Sequence, residues 1–194
     1  MRDNRIKVAF LDRDGVINKE VNYLYQKDKF EFTSDCLKGL KILKRLGYSI
    51  IVITNQAGIA RGYYTENDYQ ILTDYYTRLI NQQNVEILKV YHCPHHPNGK
   101  IEQLAIDCKC RKPRPGMLYL AMKEFDIDIE NSILIGDKVS DCEAGLAAGI
   151  KCNFLVESGH GLTKEERESF KTFSCLYDVA CYLRSSAGKP HEVR

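Results

Sequence analysis

Two carboxylates one residue apart, Asp12 and Asp14, follow an apolar run of strand length in this chain of 194 residues. The run Val8-Ala9-Phe10-Leu11 is typical of a buried parallel strand, and open α/β sheets place their chemistry beyond the carboxyl ends of such strands. Two crowded carboxylates are unfavourable unless a cation binds them or one of them carries a proton. Because Asp-x-Asp-Gly also suits an ordinary turn, the pair alone leaves both interpretations open.

A second polar cluster follows a second apolar strand, residues 49–53. The sequence Thr54-Asn55-Gln56-Ala57-Gly58 offers a hydroxyl, a run of backbone N–H groups and a glycine, which together suit the oxygens of a phosphate. A simple turn closed by the Thr54 and Asn55 side chains is the alternative.

Three thiols and one imidazole recur at short spacing around a polar loop. Cys93 and His95 form a Cys-x-His pair, and Cys108 and Cys110 form a Cys-x-Cys pair, with twelve residues between the two pairs. Three thiolates and one imidazole complete a tetrahedral set for zinc, and a closed set favours a structural ion. We expect His95 to be the ligand because its spacing matches that of the second pair, although spacing alone does not distinguish it from His96.

Three cations follow directly, Arg111, Lys112 and Arg114, on a backbone stiffened by two prolines. Held between the zinc loop and a following helix, they suit a doubly charged phosphate, whereas a solvated basic surface is the ordinary alternative. The next apolar strand ends in Gly136-Asp137-Lys138-Val139-Ser140-Asp141, which again places carboxylates at a strand end.

Composition limits the possible partners. With 28 basic and 26 acidic residues the formal charge is +2, which gives no support to a nucleic-acid or membrane surface. No apolar stretch approaches membrane-spanning length, and the cysteines outside the His/Cys cluster are expected to be reduced. We therefore expect a soluble cytoplasmic protein. We also expect it to bind a small molecule and to act as a monomer.

Alternating strand and helix patterns organise these residues into an α/β fold with a mostly parallel sheet. We expect one domain over residues 1–185, a zinc loop over 92–111 and a disordered tail over 186–194. The predicted strands are residues 8–11, 49–53, 87–91, 132–135 and 151–156. The predicted helices are residues 35–46, 65–81, 116–125, 143–149, 163–170 and 175–184.

The order of these features resembles the haloacid dehalogenase-like phosphatases, which carry a double-aspartate strand, a Ser/Thr strand, a lysine and a late acidic pair. The motifs Phe-Leu-Asp-Arg-Asp-Gly, Thr-Asn-Gln-Ala-Gly, Cys-Pro-His-His-Pro, Cys-Lys-Cys-Arg-Lys-Pro and Ile-Gly-Asp-Lys are similar to those of the D,D-heptose 1,7-bisphosphate phosphatases, over residues 7–184. This resemblance implies a three-layer α/β/α sandwich with a Rossmann-like sheet, in which the zinc loop replaces a large cap. Histidinol-phosphate phosphatases share the zinc loop and remain an alternative, as does a non-catalytic zinc-stabilised binding module.

The resemblance implies a role for each strand end. Asp12 would attack phosphorus and form an aspartyl-phosphate, while Asp14 acts as general acid and then as general base. Thr54 and Lys112 would bind the phosphoryl oxygens. Asp12, the backbone carbonyl of Asp14, and Asp137 would hold Mg²⁺.

The substrate implied by the resemblance is D-glycero-D-manno-heptose 1,7-bisphosphate, which loses its 7-phosphate on the way to nucleotide-activated heptose and lipopolysaccharide core or other surface glycans. Arg114 is expected near the second phosphate. The loop Lys-Glu-Val-Asn-Tyr, residues 19–23, differs from the Asp-His-Gly-Tyr type of members that prefer the beta anomer, which leaves the anomer open. The substrate-binding residues implied are Glu20, Val21, Asn22, Tyr23, Asn55, Gln56, Ala57, Arg111 and Lys138.

Overall fold

Six parallel strands form one sheet across the part of the chain that the computed structural model describes, residues 5–186. The strands are β1 (Val8–Leu11), β2 (Ser49–Asn55), β3 (Ile87–Cys93), β4 (Ile133–Gly136), β5 (Cys152–Val156) and β6 (Lys171–Phe173). Their order is β3-β2-β1-β4-β5-β6, so the direction of winding reverses between β1 and β4. In open α/β sheets a ligand-binding crevice forms at such a reversal, outside the carboxyl ends of the strands.

Helices cover both faces of the sheet. They are α1 (Cys36–Arg45), α2 (Ala57–Ala60), α3 (Glu66–Asn81), α4 (Gly116–Glu124), α5 (Val139–Ala147), α6 (Lys164–Ser169) and α7 (Leu176–Ser186). Ala9 and Leu11 of β1 pack in the core under α1, α3 and α7, whereas Val8 and Phe10 pack in the core under α4 and α5. Both faces of β1 are therefore buried, which explains why its sequence is continuously apolar instead of alternating.

The predicted three-layer α/β/α sandwich is confirmed, with two elements that the sequence analysis missed. β6 is short and carries little apolar character, and α2 is a single helical turn within the predicted phosphate loop. Helix α5 begins at Val139, four residues before its predicted start. Residues 187–194 of the predicted tail lie outside the described residues, and the single domain over 1–185 stays a prediction. Among residues 5–186, every helix is too short or too polar to cross a membrane.

Aromatic contacts hold the long connection between β1 and α1 against helix α3 and the turn before it. Phe30 is buried and stacks on Tyr76 with ring centroids 5.8 Å apart. Tyr25 stacks on Tyr64 with centroids 5.3 Å apart, and Tyr23 meets Tyr63 edge-on at 4.6 Å. Each pair favours a defined geometry in addition to its burial of apolar area. This connection is thereby fixed over the carboxyl edge of the sheet.

The buried Ser132 hydroxyl joins β1 to the start of β4. The backbone N–H of Val8 donates to Ser132 Oγ at 2.9 Å, and that hydroxyl donates to the carbonyl of Asp128 at 2.6 Å. Ser132→Ala leaves the Val8 N–H without its partner, so we expect the free energy of unfolding to fall by about 1–3 kcal/mol. Urea unfolding measures the change.

Ser185→Ala, on the exposed end of α7, is the matched control and should change the free energy of unfolding by less than about 0.5 kcal/mol. Equal stabilities of the two variants would show that the Ser132 hydroxyl does not stabilise the fold.

Candidate active site

A polar pocket of about 280 Å³ opens at the carboxyl edge of the sheet. The residues that line it come from the β1–α1 connection, the end of β2, the zinc loop and the segments after β4 and β5. They are Asp12, Arg13, Asp14, Glu20, Asn22, Tyr23, Asn55, Gln56, Ala57, Arg61, Tyr64, His96, Arg111, Lys112, Lys138, Ser140, Asp141 and His160.

Three predicted site residues are not among those that line the pocket. Thr54 and Asp137 are buried, with exposed fractions of 1% and 0%. Val21 is exposed at 39%. Arg114, expected near a second phosphate, instead forms an ion pair with Asp107. The remaining predicted catalytic and substrate-binding residues share the pocket.

Three carboxylates surround one lysine at the pocket floor. Asp12, Asp137 and Asp141 each offer an oxygen, and these oxygens lie within 4.8 Å of one another. Lys112 Nζ lies 2.9 Å from Asp12 Oδ1 and 2.8 Å from Asp141 Oδ1. It also donates a hydrogen bond to the carbonyl of Ile53 at 2.8 Å. One ammonium cannot neutralise three ionised carboxylates, so the cluster has room for additional positive charge.

The pKa values of this cluster reflect that imbalance. Burial raises the pKa of Asp12 to about 6, and the charge of Asp141 adds to the increase. Burial and the charge of Asp12 raise the pKa of Asp137 to about 9. Although burial opposes it, the neighbouring carboxylates hold the pKa of Lys112 above its usual range. The lysine therefore stays protonated, while Asp137 stays neutral unless a cation arrives.

The donor set of this cluster fits a hard divalent cation. Carboxylate oxygens are the ligands that such ions prefer. The Oδ1 atom of Asp137 is buried and has no hydrogen-bonding partner, which is unfavourable unless something binds it. Asp12, Asp137 and Asp141 are therefore the side chains that could hold the ion.

Asp14 has a different environment from Asp12. The buried Arg13 guanidinium binds its carboxylate through two nitrogens, with Arg13 Nη2 2.9 Å from both oxygens, and also donates to the carbonyl of Leu24. The side-chain amides of Asn18 and Gln56 donate to the same carboxylate at 3.0 Å and 3.1 Å. Burial alone would raise the pKa of Asp14, but these partners outweigh it and lower the pKa.

Side chains at the end of β2 connect the remaining site residues. Gln56 Nε2 donates to Thr54 Oγ1 at 2.7 Å, and the Tyr64 hydroxyl donates to Gln56 Oε1 at 2.5 Å. The Asn55 side chain accepts from the backbone N–H of Lys112 at 3.1 Å and donates to its carbonyl at 3.2 Å. These bonds fix the backbone from which the Lys112 side chain reaches the carboxylates.

The predicted zinc residues lie together beside the pocket. The Sγ atoms of Cys93, Cys108 and Cys110 are 3.2–3.4 Å apart, and His95 Nδ1 is 3.4 Å from Cys110 Sγ and 3.8 Å from Cys93 Sγ. Zn–S bonds of about 2.3 Å place the sulfur atoms of a tetrahedral site about 3.8 Å apart, so these four atoms are grouped as zinc ligands are, at slightly shorter separations. His96 lies apart from the cluster, with its Nε2 3.1 Å from Arg61.

Seven residues that line the pocket were not among the predicted site residues: Arg13, Arg61, Tyr64, His96, Ser140, Asp141 and His160. Asp141 had a signal, because it completes the late acidic pair, and Arg13 lies between two predicted carboxylates. Arg61 lies in the stretch Thr-Asn-Gln-Ala-Gly-Ile-Ala-Arg-Gly, which is part of the family resemblance, whereas His160 belongs to no motif that the sequence analysis used. Only the folded chain brings His160 to the carboxylate cluster.

Known proteins resemble this chain over most of its length. It is 59% identical, over 93% of this chain and 98% of the relative, to the D-glycero-alpha-D-manno-heptose-1,7-bisphosphate 7-phosphatase of Photorhabdus laumondii. It is 44% identical, over 82% and 86%, to the D-glycero-beta-D-manno-heptose-1,7-bisphosphate 7-phosphatase of Haemophilus influenzae. The Escherichia coli K12 protein of the same beta name is 39% identical over 82% and 84%.

A solved structure and a family model are also similar to this chain. A D,D-heptose 1,7-bisphosphate phosphatase from B. bronchiseptica, complexed with magnesium and phosphate, superposes with a TM-score of 0.78 at 26% identity, over 93% of this chain and 99% of that one. A family model described as HAD-hydrolase-like matches residues 109–180.

The raised pKa values of Asp12 and Asp137 predict how stability depends on pH. Both lie above the ordinary value of 3.8, so the neutral carboxyls favour the folded state and their contribution is lost as the pH rises through about 6 and then about 9. We expect the Tm of the magnesium-free protein to fall between these pH values. Mg²⁺ favours the ionised carboxylates, so MgCl₂ should raise the Tm more at the higher pH.

Calorimetry after dialysis against magnesium-free buffer measures both effects. Asp137→Asn removes one titrating group and should flatten the fall in Tm. A Tm that rises over this pH range without Mg²⁺ would contradict the assigned pKa directions.

Proposed function

The chain belongs to the D-glycero-D-manno-heptose-1,7-bisphosphate 7-phosphatases of the haloacid dehalogenase-like hydrolases, and from that membership we propose that it removes the 7-phosphate of this bisphosphate to give heptose 1-phosphate. The observation that carries the proposal is the buried cluster of Asp12, Asp137, Asp141 and Lys112 at the pocket floor. Histidinol-phosphate hydrolysis and a non-catalytic binding role are not favoured, because the relatives described above are named as heptose bisphosphate phosphatases.

The reaction proceeds in two displacements. A carboxylate oxygen of Asp12 attacks phosphorus, forming the aspartyl-phosphate as the bond from phosphorus to the sugar oxygen breaks. Asp14 gives that oxygen a proton and then takes a proton from the water that hydrolyses the intermediate. Asp14 is ionised in the free enzyme, and the arriving phosphate dianion raises its pKa because like charges repel, which allows it to hold the proton it donates.

In this mechanism Lys112, the Thr54 hydroxyl and the cation balance the negative charge on the phosphoryl oxygens. Lys112 and the Thr54 hydroxyl bind the oxygens that gain charge in the transition state. Asp12, the backbone carbonyl of Asp14 and Asp137 would hold magnesium, which would supply the positive charge that lets a carboxylate approach a dianion. Arg111, Lys138 and the other predicted substrate-binding residues would contact the sugar and its second phosphate.

We further propose that the alpha anomer is the preferred substrate. The relative at 59% identity carries the alpha name, whereas those at 44% and 39% carry the beta name. Residues 19–23, where the sequence departs from the type associated with the beta anomer, place Glu20, Asn22 and Tyr23 on the pocket wall. The product is the sugar 1-phosphate from which nucleotide-activated heptose for surface glycans is made. The monomeric state and the cytoplasmic location stay predictions.

Zinc is the proposed ion for Cys93, His95, Cys108 and Cys110. Four protein ligands close the coordination sphere, so the ion would order its loop and take no part in the chemistry. That loop leads directly into Arg111 and Lys112 of the pocket. Zinc would therefore serve the reaction only by holding Arg111 and Lys112 in position.

Substitution of the nucleophile tests the mechanism. Asp12→Asn removes the attacking carboxylate, so we expect turnover of the bisphosphate to fall at least about 10³-fold. Asp107→Asn alters an exposed carboxylate outside the pocket and should keep wild-type turnover. Phosphate release is measured with both heptose bisphosphate anomers, fructose 1,6-bisphosphate and histidinol phosphate. Full activity of Asp12→Asn would reject its role, and equal rates on all four substrates would reject the substrate assignment alone.

Loss of one zinc ligand should destabilise the loop that leads into Arg111 and Lys112. Cys110→Ser is expected to lower zinc content well below one ion per chain and to lower the Tm, because the ion stabilises the folded loop. Cys152→Ser replaces an exposed thiol far from the cluster in sequence and should keep the metal. Elemental analysis and thermal unfolding provide the measurements. Metal-free wild-type protein of undiminished stability would rule out the structural role.

A further inference from the structure

The loop after β5, residues 158–161, packs directly against the carboxylate that follows β4. The Ser158 hydroxyl donates to the carbonyl of Gly15 at 2.6 Å, which fastens this loop to the turn after Asp14. A Cβ atom on Gly159 would lie 2.1 Å from Asp137 Oδ2 and 2.7 Å from Gly15 Cα. Only glycine permits this approach, so the two loops form a tight enclosure around one oxygen of Asp137.

His160 completes that enclosure. Its Nδ1 lies 2.5 Å from Asp137 Oδ2, the distance of a short hydrogen bond. Gly15, with φ at +82°, closes another side, because a Cβ there would lie 2.5 Å from the same oxygen. Asp137 Oδ2 thus has a hydrogen-bonding partner of its own and little space for any other ligand.

The second oxygen of Asp137 has the opposite surroundings. Oδ1 is buried and has no hydrogen-bonding partner, and Asp137 shares its cluster with Asp12 and Asp141. The two oxygens of the Asp137 carboxylate therefore have different roles. One oxygen is held by the protein, and the other is available to a cation.

From this division we propose that His160 is a positioning residue for the divalent cation, which it serves by donating to Asp137 Oδ2 and so aiming Oδ1 at the ion. The inference rests on the proposed magnesium site. Carboxylates that bind metals are themselves commonly hydrogen-bonded, and loss of such an outer partner typically weakens metal binding by about 10- to 100-fold. The His160 side chain is 42% exposed, so its replacement should leave the core intact.

Titration of the metal alone tests this role without relying on turnover. Isothermal calorimetry with MgCl₂ and no substrate is expected to show that His160→Leu raises the Kd about 10- to 100-fold. His160→Asn keeps an N–H donor at the position of Nδ1 and should restore most of the affinity. Gly161→Ala alters the same loop at a position where a Cβ meets nothing within 4 Å, so it should bind as the wild type does.

The outcomes separate this inference from the proposed function. Wild-type affinity in His160→Leu, beside clear Mg²⁺ binding by the wild type, overturns the positioning role alone. Failure of the wild-type protein to bind Mg²⁺ overturns the metal site and this inference together. At saturating MgCl₂ we expect His160→Leu to recover kcat with an unchanged KM for the bisphosphate. A raised KM with an unchanged Mg²⁺ Kd would assign His160 to the substrate and overturn the proposal.

Discussion

The ion pair between Lys112 and the carboxylates of Asp12 and Asp141 is the interaction on which the site depends. Carboxylates buried at one strand edge repel one another and lose hydration, so the fold tolerates them only with a fixed positive charge among them. Lys112 provides that charge from a loop that belongs to neither strand. The reversal of strand order between β1 and β4 provides the crevice in which the groups meet.

The segment between β3 and α4 leads into this lysine and contains the proposed zinc ligands. Most residues between His92 and Arg111 are partly or fully exposed, so the segment has little apolar core of its own. Backbone bonds attach it to α2, where Lys100 and Ile101 both donate to the carbonyl of Ala60. The proposed four-ligand zinc site would replace the missing core and fix the backbone just before Lys112. The loop can then form a pocket wall without a separate cap domain.

The sequence predicts the strands and their end residues well because burial on both faces leaves a clear apolar pattern, as in β1 and β2. It predicts the metal loop because cysteine and histidine spacing reports ligand geometry directly. It does not reveal His160, because this residue reaches Asp137 only through the close approach of two glycine-containing loops. The sequence also does not show that the Arg13 side chain is buried, because an arginine between two aspartates is equally consistent with an exposed side chain.

The contrast between Asp12 and Asp14 links metal binding to catalysis. Arg13 lowers the pKa of Asp14 in the free enzyme, since its guanidinium is buried against that carboxylate. Asp12 has only Lys112, which it shares with Asp141, and its pKa of about 6 leaves part of it neutral near neutrality. A protonated carboxyl is a poor nucleophile. In the proposed mechanism a cation bound by Asp12 would lower the pKa of this carboxyl, so metal binding would also complete the ionisation of the nucleophile.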